Sequence, residues 1–197
     1  MAETASTMLA LGTTAPGFRL PDIDGKTVSL EDFAGSQALL VAFLCNHCPY
    51  VKHVRPRFVE LARDLESRGV AVVAISANDA AAYPEDGPRR MAAEARRLGF
   101  SFPYLYDETQ EVAKVYRAAC TPDFFLFDSG RRLVYRGQMD DSRPGNGKPV
   151  TGKDLLEAAQ ATLTGGRVSQ AQRPSLGCNI KWKPGSEPDY WRGGPVG

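Results

Sequence analysis

Cys45 and Cys48, separated by Asn46 and His47, are the residues of this chain best equipped for chemistry. Two thiols at Cys-x-x-Cys spacing can join and part as a disulfide, and so pass two electrons to or from a partner. Residues 39–44 before them form a continuous apolar run of strand length, the pattern of a strand buried on both faces of a sheet. After them Pro49 suits a first helical turn, where its missing N–H costs nothing. Val51, Val54, Phe58, Leu61 and Leu65 then recur at helical spacing. The pair therefore sits where a strand runs into a helix N-terminus. Unpaired N–H groups and the positive end of the helix dipole stabilise an anion there. In such sites thiol pKa values fall from about 8.5 to roughly 3.5–7.5. On this pattern Cys45 is the attacking thiolate and Cys48, one turn on, resolves the mixed disulfide. His47, a protonatable imidazole beside the pair, and Lys52, one turn after Cys48, are the auxiliary groups in reach.

Other uses of two cysteines fit less well. Structural zinc usually needs a second Cys or His pair at knuckle spacing, and none is visible. Covalent haem needs a His directly after the second Cys, where Pro49 stands. No cofactor and no metal are expected. With 197 residues, 43% of them hydrophobic, and a formal net charge of +1, the chain has the composition of one soluble globular domain. That charge gives no electrostatic case for nucleic acid or a membrane surface. Residues 1–10 lack the basic start and apolar core of a signal peptide, and no run approaches the ~20 apolar residues of a membrane span. The expected location is cytoplasmic, where cysteines serve catalysis or metals more often than crosslinks.

The elements that must position the pair follow in order. Residues 11–30 read as an extended entry and a hairpin turned at Asp24-Gly25. After the helix, closed at Gly69, residues 70–75 form a second buried strand of parallel-sheet character. Residues 76–88 make a loop at the same sheet end as the dithiol, a candidate substrate rim. A helix over 89–98, a short strand over 100–106 and a helix over 108–117 capped by Asp107 come next. Residues 123–128 and 133–137 form a hairpin, the latter the final strand. Residues 147–154 approach a phosphate-binding loop, but Asp154 replaces the magnesium-holding Ser/Thr and Pro149 removes a cradle N–H. A helix over 154–163 leads to a tail whose Trp182, Tyr190 and Trp191 argue that part of it docks.

Ala15-Pro16-x-Phe18-x-Leu20, Asp24-Gly25-Lys26-x-Val28-Ser29-Leu30, the buried strand and the Cys-x-x-Cys together resemble the thioredoxin-fold superfamily. Within it they are similar to the redoxin branch of AhpC/TSA peroxiredoxins and thiol-disulfide interchange proteins. Gly177-Cys178-x-Ile180-Lys181-Trp182 resembles a peroxiredoxin-like subgroup carrying a Cys-x-x-Cys. The resemblance implies an α/β, three-layer α/β/α fold with a central mixed sheet, an N-terminal β-hairpin extension and a docked C-terminal tail. It divides the chain into a thioredoxin-like domain, 11–166, and a tail, 167–197. It also implies a kinking proline at Pro56 and a cis bond between Thr121 and Pro122. The backbone of Thr121 would then pair with an extended substrate segment. The implied activity is thiol-disulfide exchange on protein or small-molecule disulfides, served by an unidentified thiol reductant.

Departures from the pattern bear on mechanism. In the peroxiredoxin arrangement Cys48 would be the peroxide-reducing thiolate, but its Pro, Thr and Arg partners fall on Val41, Cys45 and Pro122. Peroxidase activity through Cys48 is therefore the alternative. In the thioredoxin arrangement the Trp and buried acid fall on Leu44 and Leu39. An alternative of another class is a copper or zinc chaperone, disfavoured because His47 and His53 both lie beside the dithiol rather than at a distance. Cys120 reads as a small buried hydrophobe. Cys178 is a candidate to relay a disulfide from Cys45.

Overall fold

The computed structural model describes residues 3–191. Strand β1 (Glu3–Ala5) opens the chain, and β2 (Arg19–Pro21) and β3 (Thr27–Ser29) form the antiparallel hairpin. Its turn is tied by Asp22, whose carboxylate accepts from the Asp24 and Lys26 N–H groups. There follow β4 (Ala38–Phe43), α1 (Pro49–Ser67), β5 (Val70–Ser76), α2 (Pro88–Leu98), β6 (Tyr104–Tyr106) and α3 (Glu111–Val115). The chain then forms β7 (Cys120–Thr121), β8 (Asp123–Phe127), β9 (Leu133–Gly137), α4 (Lys153–Leu163) and β10 (Leu176–Asn179).

The central sheet has the order β6-β5-β4-β8-β9. β4, β5 and β6 run parallel, while β8 and β9 are antiparallel additions, so the sheet is mixed. β4 is buried along its whole length because both faces are covered. Leu40 and Ala42 join the core beneath α1, α2 and α4. Leu39, Val41 and Phe43 join a second core with the hairpin, α3 and the tail residues Ile180 and Trp182. The three-layer arrangement, the hairpin and the docked tail all match the resemblance. The helix after the dithiol runs unbroken through Pro56 and stops before Gly69, whose φ of +91° no longer fits a helix.

Three elements differ from the sequence reading. The strand expected over 100–106 shortens to Tyr104–Tyr106, because the Phe100 N–H still closes α2 on the Ala95 carbonyl and Pro103 has no N–H to pair. The helix expected over 108–117 shrinks to Glu111–Val115, and its N-cap is Gln110, at φ +66°, rather than Asp107. Gln110 is held there because its side-chain amide donates to the carbonyls of Ala77 and Lys181, while buried Asp107 accepts from the Ala113 N–H inside the helix. Residues 133–137 are not the last strand. A second sheet, β1-β10-β7, joins the N-terminal residues and the tail to the strand preceding Pro122. The last part of the tail, 192–197, lies outside the described residues. Among the described residues no helix is long and apolar enough to cross a membrane.

Asp123 begins β8 in full burial, its carboxylate accepting from Ser6 Oγ at 2.6 Å. Burial pushes its carboxyl up to about 7. A carboxyl raised on folding stabilises the fold below its unfolded pKa, and that stability is lost as pH climbs through the folded value. Between about pH 4 and pH 8 the expected loss is on the order of 4 kcal/mol. Asp123→Asn should flatten this dependence in urea titrations at several pH values; an unchanged slope would show that another group is responsible.

Candidate active site

Cys45 lies just beyond the end of β4, and Cys48 is the N-cap of α1, with extended φ/ψ of −60° and 125°. Both sulfurs are thereby brought to the carboxyl edge of β4, facing the junction of β7 and β8. The Thr121-Pro122 bond at that junction is cis, as the resemblance implies. Thr121 touches both sulfurs. Its Oγ1 hydrogen-bonds with Cys45 Sγ at 3.2 Å, and its carbonyl accepts from the protonated Cys48 thiol at 3.2 Å. Cys45 is 1% exposed and Cys48 0%, so neither sulfur faces solvent in this state.

The surroundings divide the protons unequally. Hydrogen bonds from the Cys178 and Cys45 thiols and from the Val51 N–H hold Cys48 well below the usual thiol range, against the opposing effect of burial. Burial pushes Cys45 well above it, helped by its donation to Cys48 and by the nearby Asp86 carboxylate. The two sulfurs are thus pulled in opposite directions, Cys48 down and Cys45 up. Residues distant in the chain set the difference: the Cys178 thiol reaches Cys48, while the Asp86 carboxylate stands beside Cys45.

That acid is a residue the sequence reading missed. Asp86 is fully buried, and its Oδ1 accepts from the Asn46 and His47 N–H groups at 2.7 and 3.2 Å. Its Oδ2 accepts from His47 Nδ1 at 2.5 Å and from Asn78 Nδ2 at 2.8 Å. Burial raises its carboxyl, but the bonds from His47 and Asn78 prevail and leave it below its ordinary value. His47 also stacks on Tyr83, with ring centroids 5.2 Å apart. It therefore orders the Cys-x-x-Cys turn by binding Asp86. Lys52 is exposed on α1, where its charge acts on Glu94. The signal for Asp86 was its loop, placed at the dithiol's end of the sheet, and its enclosure between Pro84 and Pro88, where a short 3-10 turn fixes it.

Among the described residues, one group of three potential metal donors occurs, Cys45, His47 and Asp86, with donor atoms within 4.8 Å of one another. Cys48 is not part of it. The two Asp86 oxygens already receive four N–H donors, so the group is a hydrogen-bonded cluster that braces the turn. Asp86→Asn removes the charge that opposes a Cys45 thiolate and sets an amide N–H against His47 and Asn78. The Cys45 thiol should then ionise at lower pH by thiolate absorbance, with stability lower by about 2 kcal/mol. An unmoved titration would remove Asp86 from the electrostatics of the pair.

The position expected to receive a substrate strand is filled. β10 pairs antiparallel with β7, with Cys178 opposite Thr121 and Asn179 opposite Cys120. The Thr121 backbone that the resemblance assigns to an extended substrate is bound by the chain's own tail. Cys178 packs in the same core as Cys48 and donates to its sulfur. Cys120 is fully buried, its thiol directed at the Pro122 carbonyl.

A mixed sheet with two thiols at the first helix, facing a strand that enters through a cis proline, defines a dithiol protein of thioredoxin-like fold. The chain belongs to the AhpC/TSA family, which it matches over residues 11–136. It is 27% identical over 130 residues to the thiol-disulfide oxidoreductase ResA of Geobacillus thermodenitrificans, covering 66% of this chain and 70% of the relative. Two crystal structures extend the likeness into the tail. A hypothetical protein from Sinorhizobium meliloti is 54% identical, with a TM-score of 0.91, covering 92% of this chain and 100% of the other. An uncharacterized conserved protein from Geobacillus kaustophilus is 55% identical, with a TM-score of 0.92, covering 93% and 98%.

Proposed function

We propose that the protein is a thiol-disulfide oxidoreductase in which Cys45 and Cys48 interconvert between dithiol and disulfide. The observation that carries this is the convergence of both sulfurs on Thr121, each 3.2 Å from one of its oxygens. The thiolate of Cys48 attacks one sulfur of an incoming disulfide, and a second thiol displaces the product by attacking Cys48 in turn. Small disulfides suit the site better than extended polypeptides, because the strand position beside Pro122 is taken. A thiol reductant resets the pair, and the proposed compartment is the cytoplasm, where dithiols are kept for catalysis.

A second reading is favoured by one observation, the Cys178 and Cys45 thiols beside Cys48, which draw its thiol below the ordinary range; Cys48 is the cysteine a peroxidase would use. Peroxide reduction would leave Cys48 as a sulfenic acid, which a neighbouring thiol condenses to a disulfide with release of water. Turnover of glutathione disulfide and of hydrogen peroxide by wild type, Cys45→Ser and Cys48→Ser separates the two. Disulfide turnover that needs both cysteines, with slow peroxide consumption, supports the oxidoreductase. Fast peroxide consumption that survives loss of Cys45 replaces it with the peroxidase.

A further inference from the structure

We propose that Cys178 is the resident exchange partner of the dithiol: β10 carries it beside Cys48, where it forms an intrachain disulfide with Cys48 that Cys45 then displaces. The proposal rests on the reading of Cys45 and Cys48 as a redox pair and adds a third thiol to it.

The placement is built by the backbone. Cys178 lies directly across from Thr121, the residue that touches both active sulfurs. Gly177 before it approaches so closely that a Cβ there would lie 2.0 Å from the Thr121 carbonyl oxygen. This contact draws β10 against the same peptide that holds the dithiol. On its other edge β10 is closed by β1, with Glu3 opposite Cys178. Glu3 in turn accepts from Tyr50 on α1 at 2.6 Å. Beyond the strand, the Ile180 N–H donates to Ala119 and the Lys181 N–H to Asn78 Oδ1. Asn78 is the same residue that donates to Asp86, so one side chain fixes both the tail and the turn of the dithiol. The Cys178 thiol is within hydrogen-bonding reach of Cys48, which places Cys48 between two potential partners, Cys45 and Cys178.

With glutathione disulfide as oxidant the steps balance. The Cys48 thiolate forms a bond to one glutathione sulfur, the glutathione S–S bond breaks, and the first glutathione leaves as a thiolate that takes a proton. The Cys178 thiol loses its proton and attacks Cys48 Sγ; the Cys48–Cys178 bond forms and the second glutathione leaves. One external disulfide has been reduced by two electrons from Cys48 and Cys178. Attack of Cys45 on Cys48 Sγ then forms the Cys45–Cys48 bond and returns the Cys178 thiol with the proton that Cys45 gives up.

The test uses full-length wild type, Cys45→Ser and the double variant Cys45→Ser/Cys178→Ser. Each is equilibrated in glutathione redox buffers, quenched in acid, alkylated and mapped by mass spectrometry without reduction. Wild type should form Cys45–Cys48. Cys45→Ser should form Cys48–Cys178 in most molecules at the oxidising end, and the double variant should instead keep glutathione on Cys48. Cys45→Ser that carries glutathione on Cys48 with Cys178 alkylated overturns the proposal while leaving the redox pair intact. Wild type that forms neither Cys45–Cys48 nor a Cys48 adduct overturns the pair and the relay together. Circular dichroism checks each fold, and Cys178→Ala, which keeps a small apolar side chain in the strand, replaces the Ser variant should that one not fold.

Discussion

Cys48→Ser is expected to lower turnover of either oxidant by at least about a thousandfold, the scale on which loss of a nucleophile acts. A serine hydroxyl at the N-cap cannot supply the anion that the Cys178 and Cys45 thiols and the Val51 N–H are arranged to stabilise. Cys45→Ser should behave differently. Its Cys48 is still reached by Val51 and Cys178, so one equivalent of oxidant is consumed rapidly and then turnover stalls. Stopped-flow measurement of the first equivalent, followed by steady-state assay, distinguishes the two variants. A first step lost in Cys45→Ser and retained in Cys48→Ser would make Cys45 the attacking thiol, as read from the sequence.

Gly177→Ala is the second large effect. The added methyl would meet the Thr121 oxygen at 2.0 Å and the Thr121 carbonyl carbon at 2.6 Å, both backbone atoms with no flexible end to swing away. Either β10 lifts from β7 or the peptide under both active sulfurs shifts. The expected cost is about 3 kcal/mol, which for a chain of this length lowers Tm by roughly 6–12 °C. The same change should expose Cys48 and Cys178 to a bulky thiol reagent that labels wild type slowly. A melting temperature and labelling rate equal to wild type would mean that the close approach does not hold the tail in place.

The core of the fold was legible because its signals are local and strong. Residues 39–44 and 70–75 could be nothing but buried strands, and Pro49 followed by helically spaced apolar residues marked α1 within a residue. The Cys-x-x-Cys was legible for the same reason. The sharing of the proton between its two sulfurs was not, because it depends on Asp86, nearly forty positions away, and on Cys178, still farther along. Composition marks the 76–88 loop as irregular and says nothing of which carboxylate turns inward. The short α3 misled for a related reason: Gln110 and Asp107 spend their side chains on long-range bonds to the tail and the helix interior, which a pattern of neighbours cannot show. β1 and β10 are three and four residues long, too short for alternation to register, and each becomes a strand only through the other and β7.

The three-stranded β1-β10-β7 sheet also sets an order on biosynthesis. Both of its edge strands are made before its middle strand, so a chain emerging from the ribosome carries residues 120–121 as an open edge until residues 176–179 arrive. Two reactive thiols lie beside that edge until β10 is made. Nascent chains arrested between residues 121 and 176 are therefore the species most exposed to strand pairing with one another and to crosslinking through Cys48, and the arrival of β10 is what shields the dithiol.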